Sequence, residues 1–224
     1  MTVDGSGDPA ARVVADAATA DVAPIEPTTI GVAISIPEPW ANVLDAVRTS
    51  SGDPLAAFIP PHLTLLGPTE IDPVLIGDVE SRLATVAAGH PPFHVHLRGT
   101  GTFRPVTEVV FVAVAAGISE CERLAADIRR GSLARDLKYP YHPHVTIAHD
   151  VPTEALDRVF AELDEFEALF TADHFTLYVH SADGHWRPLR DYKLTGDRLD
   201  AAAEETGADD DAAAPRGASP PPTP

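Results

Sequence analysis

One short pattern occurs twice in this sequence and constrains its fold more than any other feature. A proline, a histidine, an apolar residue, a threonine and a second apolar residue stand at 61–65 and again at 143–147. Phe93 and Phe175 keep the same interval of 82 positions, and the aromatic-Arg-Pro triplets at 103 and 186 keep one of 83. The sequence therefore predicts that residues 28–107 and 108–194 are two copies of one β/α unit, packed as two lobes.

Each copy of the pattern is predicted to be a strand that carries chemistry. Residues two apart in a strand point to the same face, so His62 would lie beside Thr64, and His144 beside Thr146. A duplicated unit with a pseudo-two-fold axis brings its equivalent strands together. Two imidazoles and two hydroxyls would then share one cleft, which is a sufficient set for phosphodiester chemistry without a metal.

Hydrophobic periodicity indicates the elements around these strands. We predict strands at 29–36, 93–97, 109–115, 175–179 and 189–194, with a turn through Gly99 and Gly101. Helices are predicted to begin near Pro39, Pro73, Ile118 and Pro152, the third running to Leu133.

Both ends of the chain differ in composition from the middle. Residues 1–27 lack a lasting apolar period, and residues 195–224 are acidic and proline-rich, so both are predicted to be disordered tails. The tails hold about half of the net charge of −18. The acidic remainder disfavours long nucleic acid as a partner. One cysteine, no signal-like segment and no long apolar run predict a cytoplasmic protein, which we expect to be a monomer without membrane contact.

The other histidines offer alternatives. A third His-x-Thr, at 174–176, lacks the preceding proline, and His174 is predicted to be a surface histidine on a strand. His94 with His96, and His142 with His144, each place two imidazoles on one strand face, as a metal site would. No third ligand accompanies either pair, so we predict neither a metal nor a cofactor. A His-rich metal-binding β protein, or a phosphate sensor without turnover, remains an alternative function.

Two further residues are candidates for substrate binding. Tyr141 precedes the second motif and could stack on a base or ribose, or pack against a loop. Arg104 could neutralise a phosphate, or lie in solvent.

The paired motifs, the Gly-x-Gly-x-Phe-x-Pro segment at 99–105 and the strand at 109–114 resemble the 2H phosphoesterase superfamily, in particular its 2'-5' RNA ligase-like (cyclic phosphodiesterase) branch. The resemblance covers about residues 28–194. It implies a bilobal α+β fold, each lobe a mainly antiparallel sheet with helices on its outer face, and an active-site cleft between the lobes.

The resemblance also assigns roles. His62 and His144 match the catalytic histidines of the family, and Thr64 and Thr146 match its phosphate-binding hydroxyls. His149 stands where many bacterial members carry an arginine, so it is a candidate to contact the substrate. The expected substrate is a small nucleotide or an RNA end with a 2',3'-cyclic phosphate or a 2'-5' linkage. The sequence does not choose between hydrolysis and ligation, or between acid and base for either histidine.

Overall fold

The computed structural model describes residues 26–197, so the predicted tails at 1–27 and 195–224 lie almost wholly outside the described residues. Strands and helices follow one another along the chain as β1 (Thr28–Ser35), α1 (Trp40–Ser51), β2 (His62–Ile71), α2 (Ile76–Gly89), β3 (Phe93–Thr102), β4 (Val109–Ala116), α3 (Ile118–Ile128), β5 (His144–His149), α4 (Thr153–Glu162), β6 (Glu167–Ala172), β7 (His174–His180) and β8 (Trp186–Lys193). Short 3₁₀ turns at Pro73–Leu75 and Gly131–Leu133 flank α2 and α3.

All eight strands form one antiparallel sheet in the order β6-β3-β4-β5-β2-β1-β7-β8. Neighbouring strands pair at four to seven positions everywhere except at the centre. There β2 and β5 pair only through Leu63 and Val145. The sheet therefore consists of two four-stranded halves joined at a narrow junction, and the predicted antiparallel α+β fold is confirmed.

The halves of the sheet are not the two contiguous halves of the chain that the repeat predicted. β3 belongs to the first repeat but pairs with β4 of the second, while β7 and β8 of the second repeat extend from β1. Antiparallel strands that follow one another along the chain usually pair, and the short segment 103–108 joins β3 directly to β4. The pseudo-two-fold relation survives, since β2 and β5, β1 and β4, and β7 and β3 occupy equivalent places.

Alternation along the two central strands separates the core from the cleft. Leu63, Leu65, Val145 and Ile147 have no exposed surface, whereas the histidines and threonines between them are partly exposed. Helices pack on the core face: α1 and α4 contact β5, and α3 contacts β2. The opposite face of the junction is left open for the predicted site. None of the helices within 26–197 is long and apolar enough to cross a membrane.

Several predicted bounds differ from the structure, and β8, for example, begins at Trp186 rather than at Leu189. Gly99 has a φ of 65° and forms a bulge, so β3 continues to Thr102 instead of turning. Gly131, with a φ of 63°, separates α3 from the turn that ends at Leu133. Strand β6 was not predicted, because two of its three inward residues are alanines, which give a weak strand signal.

Candidate active site

The two His/Thr pairs lie side by side at the junction of the sheet. Leu63 opposite Val145 fixes an antiparallel register, in which His62 faces Thr146 and Thr64 faces His144. The four side chains therefore occupy the corners of one patch, with the imidazoles on one diagonal and the hydroxyls on the other. Diagonal neighbours in such a pair of strands are roughly 7–8 Å apart, about the span of a phosphate with its attacking and leaving oxygens.

Both imidazoles are oriented in the same way. Nδ1 of His62 donates to the carbonyl of Pro60 at 2.9 Å, and Nδ1 of His144 donates to the carbonyl of His142 at 2.7 Å. Each accepting carbonyl belongs to the residue before a proline, which is restricted to an extended conformation. Because Nδ1 carries the proton in the neutral ring, Nε2 is the nitrogen with the lone pair. No residue within 26–197 forms a hydrogen bond with either Nε2.

The two rings differ in their electrostatic surroundings. Burial lowers the pKa of His62 to about 4, against the hydrogen bond to the Pro60 carbonyl, and the nearby charges of Arg48 and His144 lower it further. Burial also lowers the pKa of His144, with a smaller contribution from the charge of His142.

The packing around the rings differs as well. His144 lies 5.0 Å from the ring of Phe103 and 5.2 Å from that of Phe111, and these two phenylalanines are 4.4 Å apart. Beside His62 on the sheet, Ser35 and Tyr178 join their hydroxyls at 2.8 Å. One imidazole therefore packs against two phenylalanine rings, whereas the other has a pair of hydroxyl groups on the neighbouring strands.

A cavity of about 220 Å³ opens beside the patch, on the side of the sheet half formed by β2, β1, β7 and β8. It is lined by His62, Thr64 and Thr146, together with the side chains of Arg48, Tyr178 and Trp186. Gly31 also lines the cavity, where a Cβ atom would lie only 3.0 Å from the Trp186 ring. His144 belongs to the patch but does not line this cavity.

Of the three predicted substrate-binding residues, only His149 lines the cavity. β5 has one residue more than β4 at Ile147, and this bulge turns His149 to the same face as Thr146. Nε2 of His149 lies 3.4 Å from Asp150, and the side chain is 41% exposed. A bulge of this kind leaves no clear sequence signal.

Tyr141 and Arg104 lie elsewhere. The Tyr141 hydroxyl donates to the backbone carbonyl of Thr64 at 2.9 Å, and the Arg129 guanidinium stacks 4.3 Å above its ring. Arg104 forms an ion pair of 2.7 Å with Asp157 on α4. These contacts fit packing and surface pairing, the alternatives to substrate binding for these two residues.

Three other histidines, on β3 and β7, have partners away from the patch. His96 pairs with Glu167 at 2.7 Å, and His174 pairs with Asp173 at 2.6 Å. His94 shares a hydrogen bond of 3.2 Å with Thr171. Within residues 26–197 no three His, Cys, Asp or Glu side chains are grouped so that they could hold a metal ion.

Sequence reasoning missed the cavity residues Arg48, Asp53 and Tyr178. Arg48 left a signal: it shares one face of α1 with Leu44, Val47 and Ser51, all buried, so a charge interrupts an otherwise uncharged face. Asp53 and Tyr178 carry no comparable mark.

The model of the 2'-5' RNA ligase superfamily matches residues 36–184. The chain belongs to this superfamily. The resemblance to the 2H phosphoesterases is thereby confirmed. A predicted phosphoesterase of Oceanobacillus iheyensis is 27% identical over 147 residues, which cover 65% of this chain and 86% of that protein.

Two solved structures show the same fold. The Thermus thermophilus protein TT0787 has a TM-score of 0.56 at 24% identity and covers 75% of this chain and 99% of its own. Escherichia coli LigT in complex with ATP has a TM-score of 0.52 at 27% identity and covers 76% of this chain and 99% of its own.

Proposed function

We propose that this 2H protein acts on 2',3'-cyclic phosphates or 2'-5' linkages of small nucleotides or RNA ends, by general acid–base catalysis from His62 and His144 without a metal. One observation carries the proposal. The two imidazoles stand on one diagonal of the β2–β5 patch, each fixed through Nδ1 with Nε2 left without a partner in the described chain.

This arrangement suits an in-line displacement at phosphorus. A phosphate centred on the patch has one imidazole on each side. The neutral imidazole takes a proton from water through Nε2 as the water oxygen bonds to phosphorus. The imidazolium opposite gives its Nε2 proton to the ribose oxygen as the bond between that oxygen and phosphorus breaks. Ligation is the same displacement with a ribose hydroxyl in place of water: the hydroxyl loses its proton to the neutral imidazole and bonds to phosphorus as the bond to the leaving ribose oxygen of the cyclic phosphate breaks.

Thr64 and Thr146 occupy the other diagonal. Neither hydroxyl has a hydrogen-bond partner among the described side chains and backbone, so both are free to donate to the non-bridging oxygens. Negative charge on these oxygens grows in the transition state, and pre-positioned donors stabilise it.

Cavity shape and charge favour a small substrate. A volume of about 220 Å³ accommodates part of one nucleotide beside the patch rather than a long strand. The net charge of −18 opposes the approach of a polyanion. The related LigT has been solved in complex with ATP, which supports a nucleotide as the ligand of this type of cleft.

The test is a panel of nucleoside 2',3'-cyclic phosphates and 2'-5' dinucleotides, each assayed with and without EDTA. We expect turnover that survives chelation. His62→Ala and His144→Ala should each lower kcat by roughly 10²- to 10⁴-fold. The double variant should lose far less than the product of the single effects, because the two residues act as a unit.

His174→Ala is the matched control, since this third His-x-Thr histidine already pairs with Asp173 and does not line the cavity. It should behave like the wild type. Tight binding of a cyclic nucleotide without turnover would instead identify a sensor. Activity lost in EDTA and restored by zinc would identify a metal enzyme.

A further inference from the structure

Arg48 is a buried cation beside the proposed site. It is 3% exposed, on the inward face of α1, and it lines the same cavity as His62. A guanidinium in such a place carries a large desolvation cost unless its charge and donors are matched. Its presence needs an explanation that packing does not supply.

Arg48 contacts residues of the segment 52–61, which joins α1 to β2. Nη1 donates to the carbonyl of Ile59 at 2.7 Å, and Nε lies 3.6 Å from the carboxylate of Asp53. Asp53 is itself fixed, because its Oδ1 accepts from the backbone of Leu55 and its own N–H donates to Ser51. Nε of Arg48 is buried and forms no hydrogen bond with any described residue.

This segment orients His62. Ile59 immediately precedes Pro60, whose carbonyl accepts the bond from Nδ1 of the imidazole. Arg48 thus fixes the Ile59 carbonyl, one residue before the Pro60 carbonyl that orients the His62 imidazole. Its charge also acts on the ring directly: after burial, Arg48 is the largest charge effect that lowers the pKa of His62, followed by His144. Asp53 is the carboxylate that faces this cation from the loop.

The second repeat has no such cation. α3 buries residues at the same i, i+3, i+4, i+7 spacing as α1, and all of them are uncharged: Cys121, Leu124, Ala125 and Ile128. His144 is oriented by a backbone carbonyl as His62 is, but packs against Phe103 and Phe111. The scaffold therefore folds with a neutral helix face at this place, so the ion pair beside His62 serves something other than packing.

We propose that the Arg48–Asp53 pair is a positioning element for His62: it fixes the 59–60 peptide, and with it the adjoining Pro60 carbonyl that orients the ring, and keeps the imidazole uncharged, which makes His62 the base and His144 the acid. The inference rests on the proposed function for these roles. In the reaction, His62 Nε2 accepts the proton of the attacking water, and His144 Nε2 donates its proton to the leaving ribose oxygen.

Two substitutions separate the two parts of this role. Arg48→Gln removes the charge and keeps an amide that can donate to Ile59. Arg48→Lys keeps the charge and loses the planar donor geometry. Arg158→Met is the matched control, because Arg158 donates to the carbonyl of Ser50 at the same end of α1 but is an exposed residue that does not line the cavity.

NMR titration of the His62 ring, assigned by its loss in His62→Ala, tests the charge without requiring turnover. We expect the pKa of His62 to rise by about half a unit to one unit in Arg48→Gln and to stay unchanged in Arg48→Lys and Arg158→Met. The low-pH limb of the kcat/KM profile should shift to higher pH by the same amount, and only in Arg48→Gln. Arg48→Lys should lower kcat through the orientation of the ring.

An unchanged His62 titration in a folded Arg48→Gln protein would overturn the charge role. Wild-type kcat in Arg48→Lys would overturn the orienting role. A shift of the high-pH limb instead of the low-pH limb would reverse the assignment of base and acid. Because the titration needs no substrate, it stands even if the cyclic phosphate panel gives no turnover, so the two proposals fail separately.

Discussion

Gly101 permits the closest approach between β3 and the aromatic support of His144. A Cβ at this position would stand 2.5 Å from both Cε2 and Cζ of Phe111. Carbon atoms in contact are about 3.5–4 Å apart, so Gly101→Ala requires the ring to move by about 1 Å. The ring has little room, since it lies 4.4 Å from that of Phe103 and 5.2 Å from that of His144.

The expected cost follows from this geometry. Overpacking of a well-filled site destabilises a protein by about 1–3 kcal/mol. For a chain of this size each kcal/mol lowers Tm by about 2–4 °C. A displacement of about 1 Å at a catalytic group can lower kcat by about 10²-fold. KM should change little, because the cavity lies on the His62 side of the patch.

Thermal melts followed by circular dichroism and steady-state kinetics measure the two effects. Gly77→Ala is the control: among the described residues, no atom outside its own helix turn lies within 4 Å of the added carbon, so alanine at this second residue of α2 should leave Tm unchanged or slightly raised. Phe111→Leu added to Gly101→Ala should recover part of the lost stability, since it removes the clashing ring atoms. Wild-type Tm and kcat in Gly101→Ala would refute the reasoning, and a lower Tm with unchanged kcat would show that the phenylalanines do not position His144.

Two other predictions follow from the site. Because the pKa of His62 is lowered to about 4 and that of His144 is lowered from its ordinary value of 6.5, kcat/KM should follow a bell-shaped pH profile with its maximum on the acid side of pH 6.5; a maximum above pH 7.5 would contradict this ordering. Tyr141→Phe should lower stability by about 0.5–1.5 kcal/mol with little change in KM, since the hydroxyl donates to the Thr64 carbonyl. The exposed Tyr139→Phe should change neither quantity, and a raised KM with unchanged Tm in Tyr141→Phe would support substrate contact instead.

Local periodicity explains why the central strands could be predicted. Alternation of apolar and polar residues at 62–65 and 144–147 defines a strand, its buried face and its open face from neighbouring residues alone. The repeat then brings the two strands together without any knowledge of the rest of the sheet. For this reason, the sequence alone was enough to predict that these four residues lie together.

Pairings between distant segments leave no such trace. The sequence of β3 does not indicate that it pairs with β6, and the sequence of β1 does not indicate that it pairs with β7. Likewise, Tyr141 reads as an aromatic residue beside the motif, but its role depends on the distance from its hydroxyl to the Thr64 carbonyl. The helical spacing of Arg48 indicates that it is buried. Its contacts with Asp53 and Ile59 are set by the conformation of the loop after α1, which the sequence does not indicate.

A symmetric duplication does not by itself decide which imidazole holds the proton. The proposed acid–base catalysis needs one imidazole protonated and the other neutral, and two rings in identical surroundings would each hold the single proton half of the time. Here each ring donates the same hydrogen bond, from Nδ1 to a backbone carbonyl, that of Pro60 or of His142. The difference comes from side chains outside the repeated motif: a buried guanidinium near His62, and two phenylalanines against His144. The motif thus supplies the two imidazoles of the proposed reaction, and the residues that differ between the repeats supply the asymmetry that this reaction needs.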